Sequence, residues 1–459
     1  MQKDLTKGSA LRVLIQFSLP YLLSCFLQTF YGMADLFITG QFNGADTISA
    51  VSIGSQIMHM VTVIIVGLAM GSTVMISQAV GEKNSKKAAR TVGNTVTLFM
   101  TVSVLLSVTL LLATSGILRL VAVPAEAVPQ TRIYLQICFA GIPFITAYNI
   151  ISCIYRGMGD SRSPMYFIAV ACVLNIILDF VLIGGCSMGA AGAALGTVLS
   201  QTASVVLALL AIRRKSFGVS IRMEDLKPDK AAMGDVLRIG VPIALQDGFI
   251  QVSFMIITII ANRRGVSAAA AVGIVEKIIS FFFLVPSAML SSISSIAAQN
   301  VGAQKYGRAV TTLRYGVTIA VSFGIIVSVI CQFFSPQILG MFTGDAVVVE
   351  MGTQYLKAYV FDCIVAGVHF CFSGFFCAYG FSGISFLQNL ASIVLVRVPG
   401  AYLASKFFPE TLYPMGLAAP GGSLLSAIIC IVVFLIKKDI FLPGKHTAAG
   451  NTSKKQNNR

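Results

Sequence analysis

Long apolar stretches dominate the chain, and short polar segments interrupt them. Twelve stretches reach about 20 residues or more, the length that an α-helix needs to cross about 30 Å of hydrocarbon. They lie at about 13–39, 50–78, 91–113, 132–154, 165–185, 189–211, 237–261, 269–297, 312–333, 353–377, 386–406 and 414–437. The pattern predicts an all-α polytopic membrane protein with twelve transmembrane helices.

Composition and charge support this class. Only 11% of the 459 residues are charged, against about 25% in soluble domains. The net charge of +15 is unevenly distributed: with the amino terminus inside, inside segments carry 25 of the 33 Lys and Arg, and outside segments carry six. This bias predicts that both termini are cytoplasmic. It explains the positive charge by membrane orientation, so we expect no nucleic-acid partner.

Other sequence signals exclude several classes of site. The ten cysteines lie almost entirely in apolar segments and form no CxxC pair, so neither a zinc site nor a disulfide framework is predicted. The start, MQKDLTKGSALR, resembles the n-region of a signal peptide. However, the following apolar run continues to about residue 40, so we interpret it as a retained first helix.

The two halves of the chain share motifs at a nearly constant offset. QAVG at 78–81 corresponds to QNVG at 299–302, an offset of 221, and Pro20 and Pro242 differ by 222. We therefore expect two six-helix pseudo-symmetric lobes, at 1–212 and 236–442. A basic cytoplasmic linker at 213–235 joins them, and a disordered cytoplasmic tail occupies 443–459. Such duplicated halves are typical of transporters with a substrate route between the repeats.

Polar residues inside the predicted fifth helix indicate a functional site. Asn175 and Asp179 are four residues apart and lie on one helical face. A carboxylate near the middle of a membrane helix costs roughly 2.5–3.5 kcal/mol on insertion scales. Asp35 of the first helix should lie at similar depth, and Thr197 follows a GxxxG motif that lets helices approach closely. At an offset of 221 the second half has Val396 and Gly400 in place of the pair, so it need not share the site.

Two carboxylates, an amide oxygen and a hydroxyl together predict a site for a hard cation. Two adjacent carboxylates in a dry environment cannot easily both stay ionised, so the site can take H⁺, or Na⁺ in its place. We expect no other metal and no cofactor. The alternative is that Asp35 and Asp179 bond to neighbouring helices in a purely structural role.

Further candidates are weaker. Pro20 lies about four turns before Asp35 in the same helix, where it forms either a hinge that responds to protonation or a static kink. The candidates for a cavity that accepts cationic substrates are Asp362, Asp247 and Gln251. Glu276, next to Lys277, is interpreted as part of a buried ion pair. Arg397 is expected to satisfy a nearby acid or backbone carbonyls.

Two motifs resemble those of a known family. RGMGDSRSPM at 156–165 resembles the RGxGD(S/T)xxPM turn between helices 4 and 5 of the multidrug and toxic compound extrusion (MATE) family, and QNVGA at 299–303 resembles its QNxGA signature. The resemblance covers essentially the whole chain and is strongest to the DinF-like branch. It implies an exporter of amphipathic, often cationic drugs, driven by inward H⁺ or Na⁺, which acts as a monomer in the bacterial cytoplasmic membrane and is not an enzyme.

The resemblance also implies site residues. The family's amino-terminal cation site uses an Asp on helix 1, an Asn and an Asp four apart on helix 5, and a Thr on helix 6. The matching residues here are Asp35, Asn175, Asp179 and Thr197, and Pro20 matches the bending proline of helix 1. The NorM-like branch adds a Glu on helix 7 and an Asp on helix 10. Asp362 is similar to the latter, but helix 7 has no Glu.

Two other functions also match parts of the sequence. The GMGD sequence at 157–160 also spells the GxGD motif of intramembrane aspartyl proteases, but Asp160 lies at a cytoplasmic helix end and the chain has no Tyr-Asp dipeptide. A flippase of lipid-linked precursors in the same superfamily is the second alternative. Such flippases typically carry a basic central cavity, whereas the mid-helix cations here are Lys277 and Arg397, against five acids.

Overall fold

The computed structural model describes residues 4–214 and 221–443, and within these ranges it contains twelve spans of membrane-crossing length and composition. In chain order they are α1 (Ala10–Phe42), α2 (Ala45–Gly81), α3 (Ser85–Leu120), α4 (Val128–Gly157), α5 (Arg162–Gly185), α6 (Gly189–Arg214), α7 (Lys230–Asn262), α8 (Val266–Gly302), α9 (Tyr306–Gly340), α10 (Ala346–Tyr359 with Asp362–Ala378), α11 (Ser382–Phe407) and α12 (Tyr413–Ile436). Eleven count as single spans, and α10 is a pair of helices bent by 41° at its break. The predicted all-α fold with twelve transmembrane helices is confirmed.

Most helices extend beyond the apolar runs that predicted them. The second helix covers 37 residues, where the run at 50–78 predicted fewer, because hydropathy marks only the part of a helix that lies in hydrocarbon. The seventh helix begins at Lys230, inside the predicted linker. The rest of the described linker contains a short 3₁₀ helix, Met223–Leu226. Residues 215–220 of the linker and 444–459 of the predicted tail lie outside the described residues.

Two spans contain wider, π-helical turns. In α5 the α-helix ends at Asp179 and continues as a π-helix over Phe180–Gly185. In α11 a π-helix covers Ile393–Arg397. π-Helical segments are rare in proteins, and those that occur often lie at functional sites. The first of these two follows the buried Asp179, and the second ends at the buried Arg397.

The chain divides into two compact units. Unit 1 includes Ile15–Gly248, and unit 2 includes Leu5–Leu14 together with the described chain from Phe249 onward. The division therefore falls inside α1 and α7, whereas the predicted lobes divide at the linker.

Contacts within unit 1 explain why the first part of α7 belongs to it. A Cβ on Gly240 of α7 would overlap the backbone oxygen of Leu68 in α2, so only glycine allows this approach. The segment before α7 is bound by α3: Asn94 Oδ1 accepts from the Asp229 amide at 2.7 Å, and Asp229 also pairs with Arg90. These contacts tie the linker end and the start of α7 to α2 and α3.

The core of unit 1 contains residues from all of α1 to α6. Gly54 of α2 faces the ring of Tyr134 in α4, where a Cβ would overlap the ring. Ala193 and Ala194 of α6 are completely buried in the same cluster as Tyr134. Small residues on α2 and α6 thus let α4 pass between close neighbours, which is how membrane helices gain packing contacts.

Side chains of α8 and α9, and of the turn between them, form hydrogen bonds with the backbone of the segment before α1. The Leu5 amide donates to Gln299 Oε1 at 3.2 Å. Lys305 Nζ donates to the Thr6 carbonyl at 2.8 Å, and Arg308 donates to the Lys7 carbonyl at 2.9 Å. Because these partners lie at the end of α8 and the start of α9, the beginning of α1 belongs to unit 2.

The core of unit 2 contains α7, α8, α9, α10, α11 and α12. Tyr355 and Tyr359 of α10 are completely buried, and their rings meet edge to face at 5.5 Å between centroids. Ala401 of α11 and Ile257 of α7 lie in the same cluster. The short helix Lys438–Phe441 is anchored by Phe441, whose ring stacks on Phe434.

Arg264, between α7 and α8, is expected to stabilise unit 2. Its NH2 group donates to the carbonyls of Phe408 at 3.1 Å, Pro409 at 2.5 Å and Thr411 at 3.2 Å, and partial burial lowers the pKa of the guanidinium. Arg264→Ala should lower the free energy of unfolding by about 1–2 kcal/mol, because three carbonyls lose a charged donor.

Thermal unfolding of the purified protein in detergent measures this effect. The control is the exposed neighbour Arg263, for which Arg263→Ala should change stability by less than about 0.5 kcal/mol. Equal effects of the two substitutions would contradict the assigned role of Arg264.

Candidate functional site

A hydrogen bond joins the first and sixth helices inside unit 1. Thr197 Oγ1 of α6 donates to Asp35 Oδ2 of α1 at 3.2 Å. Only 6% of Asp35 is exposed. One turn further along α1, Thr39 Oγ1 donates to the Asp35 carbonyl at 2.7 Å, a local bond that keeps the Thr39 hydroxyl from competing for the carboxylate.

The fifth helix brings Asn175 and Asp179 to the same place. Both side chains interact with the Asp35 carboxylate, and Asp179 is completely buried. Gly196 of α6 makes this possible: a Cβ there would overlap Asp179 Oδ1 and lie 3.4 Å from Asn175 Nδ2. The structure therefore brings all four predicted cation-site residues together, at the point where α5 changes from α-helix to π-helix.

Several oxygens of this cluster lack protein partners. Among the described residues, Asp35 Oδ1, Asn175 Oδ1 and both Asp179 oxygens accept no hydrogen bond from the protein. Leaving a buried carboxylate unpaired is costly, so the arrangement favours a proton or a hard cation, whose preferred ligands are oxygens. The described residues contain no group of three or more His, Cys, Asp or Glu that would hold a metal ion, so a strongly chelating site is not present there.

Two polar neighbours of the cluster were not identified from the sequence. Gln201 Nε2 of α6 donates to the Tyr31 hydroxyl of α1 at 3.3 Å. Tyr31 lies four residues before Asp35, and Gln201 lies four residues after Thr197. The same helical spacing that singled out Asn175 and Asp179 would have found this second contact between α1 and α6.

Pro20 lies within a helix that stays intact. The α-helix α1 runs without interruption from Ala10 to Phe42, and Ser24 Oγ donates to the Pro20 carbonyl at 2.9 Å. Next to Pro20, the ring of Tyr21 packs under the Arg156 guanidinium, 4.9 Å from its centroid. The first residue of the RGMGD motif thus contacts α1 beside its proline, while the hinge itself stays a prediction.

The remaining part of that motif starts α5. Asp160 Oδ1 accepts from the amides of Arg162 at 2.9 Å and Ser163 at 3.1 Å, and Asp160 Oδ2 accepts from Ser163 Oγ at 2.6 Å. The carboxylate is therefore engaged in capping a helix. An intramembrane aspartyl protease would need Asp160 as a catalytic group, but here its carboxylate has a structural role.

The three substrate-cavity candidates fall in different units. Asp247 belongs to unit 1, where its Oδ2 would lie 3.2 Å from a Cβ on Gly67 of α2. Gln251 and Asp362 belong to unit 2, and Asp362 is completely buried. Their assignment to a substrate cavity stays a prediction.

Glu276 has partners other than the expected one. Its Oε2 accepts from Thr258 Oγ1 of α7 at 3.3 Å, and it interacts electrostatically with Arg397. Lys277 is exposed. Adjacent residues on a helix do not face each other, which is why the two side chains point to different surroundings.

Known proteins resemble this chain over nearly its whole length. The sequence model of the MatE family matches residues 20–181 and 242–403. The probable multidrug resistance protein YpnP of Bacillus subtilis (strain 168) is 31% identical over 90% of this chain and 93% of its own length. The multidrug export protein MepA of Staphylococcus aureus (strain bovine RF122 / ET3-1) is 24% identical over 94% of this chain and 95% of its own length.

Solved structures share the fold. The crystal structure of MATE in complex with MaL6 superimposes with a TM-score of 0.90 at 21% identity, covering 95% of this chain and 98% of that one. A transporter of the MOP superfamily from Pyrococcus furiosus, described as having a binding pocket of reverse polarity that suggests a different function, also has a TM-score of 0.90, at 21% identity, covering 96% and 98%.

The two matched stretches agree with the internal repeat. They are offset by 222 at both ends, as are Pro20 and Pro242, whereas QAVG at 78–81 and QNVG at 299–302 are offset by 221. The counterpart of Asn175 in the second half is therefore Val396 or Arg397, and that of Asp179 is Gly400 or Ala401.

Proposed function

Because the chain belongs to the MATE family of transporters, we propose that it is a secondary antiporter that exports amphipathic, often cationic organic compounds in exchange for inward-moving H⁺ or Na⁺. Its relative MepA is named as a multidrug export protein, and YpnP as a probable multidrug resistance protein. One observation carries the coupling part of the proposal: Thr197 and Asp35 are hydrogen-bonded beside Asn175 and Asp179, with carboxylate oxygens that have no protein partner among the described residues.

The proposed cycle follows from the charge of this cluster. From the outside, H⁺ or Na⁺ reaches Asp35 and Asp179 and neutralises them. Loss of that charge relaxes α1 around Pro20 and lowers the affinity for bound drug, which leaves. The ion is released after the transporter opens to the inside. Thermodynamic reciprocity requires the drug to weaken ion binding by the same factor by which the ion weakens drug binding.

The surroundings of Arg397 favour export over lipid-precursor flipping. Arg397 is 9% exposed, donates to the Tyr359 hydroxyl at 2.5 Å and interacts electrostatically with Asp362 and Glu276. A guanidinium with two acidic neighbours is a poor binding group for an anionic lipid phosphate. We place the chain in the bacterial cytoplasmic membrane with both termini inside, acting as a monomer.

Transport by the purified protein in proteoliposomes tests the proposal. Ethidium, an amphipathic cation with a fluorescence readout, serves as the probe, and gradients of pH and of Na⁺ are imposed separately. We expect one gradient to drive ethidium against its own gradient and an ionophore that collapses it to stop the flux. Ethidium movement that is indifferent to both gradients would refute antiport, and ATP-independent flux of a lipid-linked sugar would favour the flippase.

Thr197 provides a graded test of the site. Thr197→Val keeps the shape but removes the hydroxyl that donates to Asp35, whereas Thr197→Ser keeps it. A hydrogen bond to a charged group contributes roughly 1.5–3 kcal/mol. Because the Thr197 hydroxyl stabilises the ion-free, charged carboxylate, the valine variant should lower the half-saturating ion concentration by about 10-fold. The serine variant should stay near the wild type. If the two variants depend on ion concentration in the same way, the Thr197 hydroxyl has no role in ion binding.

A further inference from the structure

Residues 5–8, which we name strap 1, are bound to unit 2 through their backbone. One arginine at the start of α9 makes three of the bonds: the Arg308 guanidinium donates to the carbonyls of Gly8 at 2.5 Å, Lys7 at 2.9 Å and Leu5 at 3.4 Å. A guanidinium presents its donors in a fixed fork, so this side chain sets the path of the backbone at all three carbonyls.

Two more side chains of unit 2 complete the attachment of strap 1. Lys305 Nζ donates to the Thr6 carbonyl at 2.8 Å, and Gln299 Oε1 accepts from the Leu5 amide at 3.2 Å. Leu5 is 2% exposed. All four residues of strap 1 therefore have a backbone hydrogen bond to a side chain of unit 2, and the first residue of the QNVGA motif provides one of them.

The segment in front of α7 is bound in the same manner by α3. We name residues 222–229 strap 2. Asn94 Nδ2 donates to the Asp225 carbonyl at 3.3 Å, and Thr97 Oγ1 donates to the Leu226 carbonyl at 2.7 Å. Both bonds end on backbone oxygens, as the bonds of Lys305 and Arg308 do in strap 1.

The internal repeat relates the two straps to each other. The third helices of the two six-helix halves, α3 and α9, begin 221 residues apart, at Ser85 and Tyr306. Strap 1 leads into the first helix of the first half and is bound by α8 and α9 of the second half. Strap 2 leads into the first helix of the second half and is bound by α3 of the first half. The exchange is therefore reciprocal.

The division of the chain into units follows the same exchange. Unit 2 includes Leu5–Leu14 and with it the first turn of α1, whereas unit 1 extends to Gly248 and includes the first part of α7. Each of the two helices begins in one unit and continues in the other. Pro20 lies six residues after Leu14, and Pro242 lies six residues before Gly248. A proline removes a backbone hydrogen bond, so a helix bends more easily there.

We infer that the two straps are anchors, which hold the beginnings of α1 and α7 on opposite units throughout the transport cycle. When one unit moves against the other, these helices then have to bend near Pro20 and Pro242, because their beginnings cannot slide. The inference deepens the proposed antiport and rests on it. The positioning residues are Gln299, Lys305 and Arg308 for α1, and Asn94 and Thr97 for α7.

The chemistry of strap 1 favours an anchor over a latch that opens in each cycle. Its carbonyls accept from the charged groups of Lys305 and Arg308, and hydrogen bonds that involve a charge are stronger than neutral ones. Release would also expose Leu5 and would withdraw the Leu5 amide from Gln299, which is 1% exposed. Separating buried hydrogen-bonding groups costs more than exchanging them for water at a surface.

Hydrogen–deuterium exchange of the purified full-length protein tests whether the straps stay bound. The Leu5 amide reports on strap 1, and the Asp229 amide, which donates to Asn94, reports on strap 2. After correction for the intrinsic effect of pH, exchange of both should be the same at neutral pH, at lowered pH, with NaCl and with ethidium. Loss of protection at either amide under any of these conditions would overturn the inference.

A covalent cross-link tests the same point during transport. Thr6→Cys and Lys305→Cys are joined by a short bis-maleimide, with the exposed Cys186 and the half-buried Cys25 changed to serine. In proteoliposomes, the cross-linked protein should export ethidium at the same rate as this variant before cross-linking. If cross-linking stops export, strap 1 has to detach in each cycle and is not an anchor.

Loosening strap 1 tests whether the attachment matters for coupling. Arg308→Ala should lower ion-driven ethidium export by about 10-fold, which is within the usual range of coupling between sites. The rise of the unfolding temperature with the ion that drives wild-type export should be kept, because the cation site in unit 1 is intact. The matched control is Arg314→Ala, which removes an exposed arginine of the same helix and should leave export unchanged.

Rescue by the cross-link separates anchoring from general damage. In the cysteine variant that also carries Arg308→Ala, the bis-maleimide attaches strap 1 again without the guanidinium. Export should then return towards the level of the cysteine variant with Arg308. If export does not recover, Arg308 does not act by holding strap 1, and the inference is wrong.

Thr97→Val provides a second test if Arg308→Ala does not fold. The valine keeps the shape but removes the hydroxyl that donates to Leu226, so export should fall and exchange at strap 2 should rise. Thr109→Val is the control, because the exposed Thr109 bonds only within α3. Wild-type export by Thr97→Val with a loosened strap 2 would contradict the inference. Failure of the antiport proposal would appear separately, as wild-type ethidium flux that no ion gradient drives while both straps stay protected.

Discussion

Asp179→Asn is expected to reduce ion-driven ethidium export by about 100-fold, since coupling energies of about 1–3 kcal/mol correspond to roughly 5–150-fold. Asparagine has nearly the same shape, so the contact with Gly196 and the burial of the side chain are kept. What is lost is the negative charge that an entering ion neutralises. Asp35→Asn should act in the same direction, because the two carboxylates form one cluster.

The control must make the same chemical change away from the cluster. Asp46 lies exposed in the first turn of α2, and Asp46→Asn should transport at close to the wild-type rate. Ethidium binding to the detergent-solubilised variants, followed by fluorescence anisotropy, separates lost coupling from lost drug binding. If Asp35→Asn and Asp179→Asn both keep full pH- or Na⁺-driven export, the cation site lies elsewhere.

The fold and the cluster could be predicted because membrane helices carry few polar residues. Insertion costs make a carboxylate inside an apolar run conspicuous, and a spacing of four residues puts Asn175 and Asp179 on one face. The number of spans followed from hydropathy for the same reason. The contact between Asp35 and Thr197 could be predicted because both are polar residues in apolar helices, and the GxxxG motif before Thr197 lets these helices approach closely.

Other features left no mark in the pattern of apolar residues. The bend of α10 after Tyr359 occurs at Val360 and Phe361, without the proline or glycine that usually marks one. The π-helix after Asp179 has no sequence signature either. The surroundings of Arg397 depend on residues from α7, α8, α10 and α12 that are distant in sequence, so no local spacing could group them.

The division of the chain also differs from the sequence expectation for a physical reason. A basic, polar linker suggests a boundary, but a boundary between compact units depends on which helices pack together. Gly240 meets the backbone of α2, and the side chains of Gln299, Lys305 and Arg308 bond to the backbone of residues 5–7. Each of these contacts ends on backbone atoms, which carry no charge or hydropathy pattern, so the sequence could not assign the first turns of α1 and α7.

Gly196→Ala is expected to disable the cation site through a single methyl group. The added Cβ would overlap Asp179 Oδ1, so the carboxylate has to rotate out of the cluster or α5 has to move away from α6. Overpacking of this kind costs typically about 1–3 kcal/mol. Gly116→Ala, in α3, makes the same substitution where no atom lies within 4 Å, and it should leave both stability and transport unchanged or slightly improved.

A double-mutant cycle decides whether the glycine acts through Asp179. Ethidium export should fall at least about 10-fold in Gly196→Ala, which corresponds to about 1.4 kcal/mol. In combination with Asp179→Asn it should cause little further loss of export, because both changes remove the same charge from the same place, and residues in contact are not additive. Additive losses would mean that the methyl group disturbs α6 as a whole. The glycine would then matter for helix packing, and the overlap with the carboxylate would be incidental to coupling.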